Sequence, residues 1–245
     1  MDIQEHVAEL EEQGRALAAA AERAGLDAAV PTCPGWTVRD LVAHTAGVHD
    51  WAASFVRAEP DADPEHELPP ATPGEDVVAR YRTAIAGLVA ALRAAPADLV
   101  TWTFLRAPSP LAFWARRQAH EAAIHRADAE AAAGSAVTYR REFALDGIGE
   151  LLLGFYARRG GRLRSERPLR LLVAPDDAPG SWLATVGPEG CRTEWPAAAT
   201  AADCTLRGPA SELYLALWNR PGTVRLDGDP GVLDLWRERA RVRWS

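Results

Sequence analysis

The stretch "SPLAFWARRQAHEAAIHRADAEAAAG", residues 109–134, decides how the first half of the chain is read. Ser109 can cap a helix with Pro110 at its first position, and Gly134 offers a left-handed stop, so the spacing predicts one helix across the whole stretch. Inside it, "RRQAHEAAIHRAD" at 116–128 resembles a zinc protease signature with the second histidine displaced. An α-helix turns about 100° per residue, so His120 and His125 face directions roughly 140° apart and cannot hold one ion from one side. The zinc protease reading fails on that geometry. Glu121 and His125 are separated by only about 40° and lie one above the other, a carboxylate beside an imidazole. Arg117 and Asp128 share their stripe.

Three more helices are legible upstream. Residues 3–24 carry Ile3, Val7, Leu10 and Leu17 at helical spacing and stop near Gly25. After the turn "PTCPGW", Thr37 can cap a second helix with Asp40 at its third position, and Val38, Leu41, Val42, Val48, Trp51 and Phe55 carry it to about Arg57. An acidic, proline-rich loop at 58–74 follows. Thr72, Pro73 and Glu75 then suggest another capped start, with Val77, Val78, Tyr81, Ile85, Leu88, Val89 and Leu92 as the buried stripe. Four amphipathic helices in succession imply a four-helix bundle.

The second half changes character. "EFALDGIGELLLGFYARRG" (142–160) reads as helical, and after it come short apolar runs, "LRLLVA", "SWLATV" and "DCTLRG", separated by Pro, Gly and Asp clusters. The helical patterns "PASELYLALWNR" and "PGVLDLWRERARVR" flank a strand at "TVRLDG". The fold class expected is therefore α+β, with a boundary between Gly134 and Arg141 that divides the chain into 1–137 and 138–245.

A chain of 245 residues can bury an ordinary core without disulfide or metal staples. Its net charge of -7 argues against nucleic acid and against an anionic membrane surface, which leaves a small molecule or a protein as partner. No apolar run approaches the roughly 20 residues of a membrane span. The acidic amino terminus lacks the features of a secretory signal, and Cys33, Cys191 and Cys204 form an odd, scattered set; together these point to a reducing cytoplasm. The sequence contains no lysine, so lysine Schiff-base chemistry and a P-loop are excluded.

Two ligands do not complete a metal site. On the second helix, His44 and His49 are the candidates for a third. His44 is preferred, because Asp40, one turn before it, could receive its second imidazole N–H and fix the tautomer. Two histidines and a carboxylate leave positions open on Zn²⁺, and the same set also suits Fe²⁺. Against this stands a plainer reading: a Glu–His pair four apart is common on solvated helix faces, and Arg117 with Glu121 is then an exposed ion pair worth a few tenths of a kcal/mol. A histidine among Leu41, Val42, Val48 and Trp51, however, should be buried and needs a partner.

"PTCPGWTVRDLVAHTAGVHDW" (31–51) and "WARRQAHEAAIHRADAEAA" (114–132) resemble the amino-terminal domain of the mycothiol-dependent maleylpyruvate isomerase family, a branch of the DinB-like helical bundles. "ADCTLRGPASELYLALWNR" and "VRLDGDPGVLDLWRERARV" are similar to that family's carboxy-terminal domain, which resembles sterol-carrier folds. The resemblance places divalent zinc ligands on His44, Glu121 and His125. It implies mycothiol as thiol cosubstrate and an electrophilic small molecule as substrate. The outcome is either cis–trans isomerisation, in which the thiol adds and leaves, or S-transfer, in which the adduct is the product. Arg117 is the candidate for holding a substrate carboxylate or stabilising an enolate, against an ion pair with Glu121 or Asp128. Asp128 either orients His125 or belongs to the surface. Trp36 and the three cysteines read as packing residues before ligand contacts. The alternative function is a non-enzymatic protein that keeps the bundle and binds a metal, an apolar ligand or a protein partner.

Overall fold

The chain, in a computed structural model, is described for residues 1–59, 61–63, 68, 72, 74–158, 162–197 and 201–240. It divides into two compact units, 1–137 and 138–245.

The first unit consists of α1 (Ile3–Ala24), α2 (Val38–Val56), α3 (Val77–Ala94) and α4 (Pro110–Ala132). Local chemistry starts each helix. In α1 the Asp2 side chain accepts from the Glu5 N–H at 2.8 Å and Glu5 accepts from the Asp2 N–H at 2.7 Å, a reciprocal box that occupies two of the orphan donors at a helix start. Thr37 and Asp40 repeat it in α2. Ser109 caps α4 with Pro110 behind it, and α4 ends in a Schellman arrangement: the Gly134 N–H donates to Ala131, the Ser135 N–H donates to Glu130, and Gly134 has φ 72°.

The start expected for α3 is corrected. Glu75 does accept from the Thr72 N–H at 3.0 Å, but Asp76 is the cap, accepting from the Ala79 N–H at 3.0 Å, and the helix begins at Val77. An aspartate immediately before the apolar run outcompetes a threonine four residues earlier. Pro73 lies outside the described residues.

The helices pack as α1 on α4 and α2 on α3, with α2 also meeting α4. Gly14 lets α1 approach α3, since a Cβ there would collide with Ile85 Cδ1 and lie 3.1 Å from the Tyr81 hydroxyl. The α4 helix is buried around almost its whole circumference: Trp114, Ala115, Ala119, Ala122 and Ala123 are inaccessible, and so, within a few per cent, are Arg117, Gln118, His120, Glu121 and Asp128. Its polar face is therefore not a solvated face, and each of those groups needs a partner.

In the second unit, α5 (Arg141–Gly149) continues into a π-helical turn, Glu150–Phe155, where the sequence suggested plain helix. A five-stranded sheet follows in the order β3-β2-β1-β4-β5, from β1 (Leu169–Pro175), β2 (Trp182–Gly187), β3 (Gly190–Glu194), β4 (Cys204–Gly208) and β5 (Arg225–Gly228), with α6 (Ala210–Leu217) and α7 (Pro230–Arg239). Among the described strands only the β1–β4 pair is parallel. The β3 strand had not been expected; it returns from β2 through a tight turn in which Gly187 pairs with Gly190. Residues 241–245, onto which the last helical pattern ran, lie outside the described residues. The α+β class read from the sequence holds. Among the described residues no helix is long and apolar enough to cross a membrane.

Candidate metal centre

Glu121 and His125, one turn apart on α4, meet at 3.1 Å between Oε1 and Nε2. His44 arrives from α2, its Nε2 3.9 Å from the same Glu121 oxygen, and its ring stands nearly perpendicular to that of His125 with centroids 5.4 Å apart. One ligand atom from each of the three lies within 4.8 Å of the others. Two donors about 2.0–2.1 Å from a tetrahedral zinc sit roughly 3.3 Å apart, so the spacing found here needs only small side-chain adjustments to accept an ion. Two imidazole nitrogens and a carboxylate oxygen are also a suitable donor set for a divalent metal. The residues fit. His44 keeps 18 % and His125 12 % of its side chain exposed, so the cluster can be reached from solvent.

The buried charges are matched in pairs. Glu121 Oε2 receives Arg117 Nη2 at 3.3 Å, and that arginine is 1 % exposed. His125 Nδ1 lies 3.0 Å from Asp128 Oδ2, and Asp128 is wholly buried. Asp128 in turn accepts from the Thr32 hydroxyl at 2.5 Å on Oδ1 and from the Cys33 thiol at 3.5 Å on Oδ2. Burial alone would raise the Glu121 pKa, but the hydrogen bond and charge of His125, with Arg117 and His44, hold it well below the usual carboxylate range. Burial likewise pulls His125 down, yet its hydrogen bonds to Asp128 and Glu121 and their negative charges overcome this and lift its pKa to about 9. His44 moves the other way: burial, then the neighbouring positive His125, lower it to about 4 against the pull of Glu121. In the metal-free protein the cluster thus holds an imidazolium at His125, a carboxylate at Glu121 and a neutral His44.

The structure brings together His44, Glu121, His125, Arg117 and Asp128. It does not bring Asp40. Asp40 Oδ2 accepts from the Thr37 N–H at 2.9 Å and the Thr37 hydroxyl at 2.6 Å, so its carboxylate completes the helix cap instead of meeting His44. The His44 ring is set by packing: the Trp36 ring meets it edge-on at 4.9 Å, with His125 on another side. Arg117 is an ion-pair partner of Glu121, one of the two roles left open for it. His49 is inaccessible, with Nδ1 2.7 Å from Gln118 Oε1, and burial lowers its pKa to about 4. His120 faces His6 of α1, ring centroids 6.2 Å apart.

Sequence reasoning missed Thr32 and the contact of Trp36 with His44. The available signal was the turn "PTCPGW" itself, which places a hydroxyl, a thiol and an indole just before the helix that carries His44.

A crystal structure of mycothiol-dependent maleylpyruvate isomerase aligns with 93 % of this chain over 93 % of its own, with a TM-score of 0.62 at 14 % identity. A structure of a point mutant of the mycothiol-dependent maleylpyruvate isomerase gives a TM-score of 0.62 at 13 % identity over the same shares. At such identity the likeness is one of fold. No curated protein matches the chain in sequence. Residues 7–130 match the mycothiol maleylpyruvate isomerase N-terminal domain and residues 142–235 match the MDMPI C-terminal domain. With both domains matched in order, the chain belongs to the mycothiol maleylpyruvate isomerase family.

Proposed function

We propose that His44, Glu121 and His125 hold a divalent ion, zinc in preference to iron, and that the protein is a mycothiol-using enzyme acting on a small electrophile. The observation that carries this reading is the meeting of two helices at three donor atoms within 4.8 Å, the second nitrogen of His125 being already engaged by Asp128. A bound divalent ion would supply the positive charge that favours a thiolate over a thiol, whose unperturbed pKa near 8.5 leaves only a few per cent ionised at neutral pH.

The chain's own groups have separate tasks. Glu121 brings negative charge, and Arg117 neutralises part of it from the buried side, which keeps a carboxylate tolerable at 5 % exposure. Asp128 keeps the Nδ1 proton of His125 in place, so that Nε2 is the nitrogen turned to the cluster. His44 is neutral throughout the physiological range and offers its lone pair without losing a proton. The exposed edges of His44 and His125 leave the side from which a thiol and its electrophile would enter. Arg117 acts on substrate only through Glu121, because its burial keeps the guanidinium from any ligand arriving from solvent.

Elemental analysis of the wild type and of His125→Ala, each then assayed with mycothiol and a panel of electrophiles, tests the proposal. Joint loss of metal and of thiol-dependent turnover is expected. Equal metal content in the two proteins would overturn the ligand set. Product mass separates the two chemistries: an isomerase returns substrate mass unchanged, an S-transferase adds the thiol.

A further inference from the structure

The turn at 30–37 is closed on itself. The Val30 N–H donates to Trp36 O at 2.9 Å, the Trp36 N–H to Cys33 O at 3.0 Å and the Cys33 N–H to Val30 O at 3.1 Å, while Ala29 and Thr37 bridge across its base and Gly35 takes φ 87°. A turn so tied presents its side chains from a fixed frame. One side chain, Thr32, reaches α4, where its hydroxyl donates to Asp128 Oδ1 at 2.5 Å. The other Asp128 oxygen faces His125 Nδ1 at 3.0 Å and the Cys33 thiol at 3.5 Å. Both oxygens are therefore engaged, and a carboxylate bonded at both ends cannot rotate. The remaining arm, Trp36, stands against the His44 ring on α2.

We infer that the turn at 30–37 positions both histidines of the metal centre, Thr32 acting through Asp128 on His125 and Trp36 acting directly on the ring plane of His44. The inference rests on the proposed ligand set and goes beyond it, since neither residue supplies a donor atom to the ion. If the Thr32 bond is lost, Oδ1 loses a contact that fixes the carboxylate plane, Asp128 holds the Nδ1 proton of His125 less firmly, and that proton can sit on either nitrogen. Only one of these tautomers leaves Nε2 available. Losing such an outer partner typically weakens metal binding by about 10–100-fold.

The test uses the whole protein and zinc. Thr32→Val keeps the shape and removes the hydroxyl; Thr32→Ser keeps the hydroxyl and removes a methyl. Zinc affinity is measured by competition with a chromophoric chelator, and the cobalt-substituted proteins are compared by visible absorption, which reports the geometry around the ion. Circular dichroism of the metal-free variants establishes that each is folded. Thr32→Val is expected to bind zinc about tenfold or more weakly with an altered cobalt spectrum, and Thr32→Ser to stay within about threefold of wild type with the wild-type spectrum. A purely structural tie between turn and bundle would lower the melting temperature of Thr32→Val and leave zinc affinity within twofold, which overturns the inference while the ligand set stands. Equal weakening in Thr32→Val and Thr32→Ser also overturns it. A wild type that does not bind zinc, or binds it equally after His125→Ala, overturns the ligand set and this inference together.

Discussion

In the proposed metal centre, the proton on His125 would govern how tightly an ion binds at neutral pH. In the metal-free protein that ring bridges Asp128 and Glu121 with a pKa of about 9, so below this pH both nitrogens carry protons and Nε2 has no lone pair to offer. At pH 7 roughly one molecule in a hundred has Nε2 free, and displacing the proton costs about 3 kcal/mol. His44, with a pKa of about 4, and Glu121, held ionised, release nothing in this range. Hence one proton should leave for each ion bound at the proposed site, and the affinity for zinc should rise about tenfold per pH unit from pH 6 to 8, then level near pH 9. Competition with a chelator of known protonation behaviour measures the slope, and proton release into a weak buffer counts the protons directly. Two ordinary histidines with pKa values near 6.5 would give a nearly flat curve above pH 7.5. A flat curve between pH 7 and 8.5, or the release of two protons, would refute the account of His125 as a protonated bridge.

Stability of the metal-free protein should follow pH in two opposed windows. The raised His125 contributes up to about 3 kcal/mol that is complete below pH 6.5 and disappears as pH rises through about 9, whereas the lowered His44 and His49 contribute above pH 6.5 and their share is lost as pH falls through about 4; urea unfolding with chelator present records both limbs. Arg117→Met removes the cation beside buried Glu121 and should cost about 3–5 kcal/mol in chemical denaturation of the metal-free protein, and clearly less once zinc supplies positive charge. Equal losses with and without zinc would contradict the pairing. Asp40→Ala should lower stability by about 1 kcal/mol through its helix cap and leave zinc affinity within twofold, because its carboxylate serves Thr37. Gly14→Val adds a branched side chain whose Cβ alone already collides with Ile85 and crowds the Tyr81 hydroxyl, and should cost about 2 kcal/mol by thermal unfolding, with the far-ultraviolet spectrum unchanged.

The features legible in the sequence are those fixed by neighbours along the chain. The caps at Thr37 and Ser109 involve partners three residues away, and the stacking of Glu121 over His125 follows from helical pitch alone. The sequence pattern favours His44 over His49 through Asp40, whose carboxylate instead serves Thr37. The two are separated instead by what surrounds them, since α4 presents Gln118 to His49 and Glu121 to His44. No local pattern could reveal this, and the same holds for Thr32 and Asp128, which are 96 positions apart. The β3 strand carries no legible signal because only Cys191 in it is buried, which leaves no alternating apolar pattern. The burial of the α4 polar stripe was likewise a tertiary outcome: four helices close around residues that would suit a wet surface equally well.

The division of the three donors between two helices has a mechanical consequence. Glu121 and His125 ride together on α4, while His44 comes from α2 with its ring packed against those of Trp36 and His125. An ion held by all three would therefore act as a rivet between helices otherwise joined by side-chain contact, and backbone amides around His44 should exchange with deuterium much more slowly after loading than those at the far end of α3.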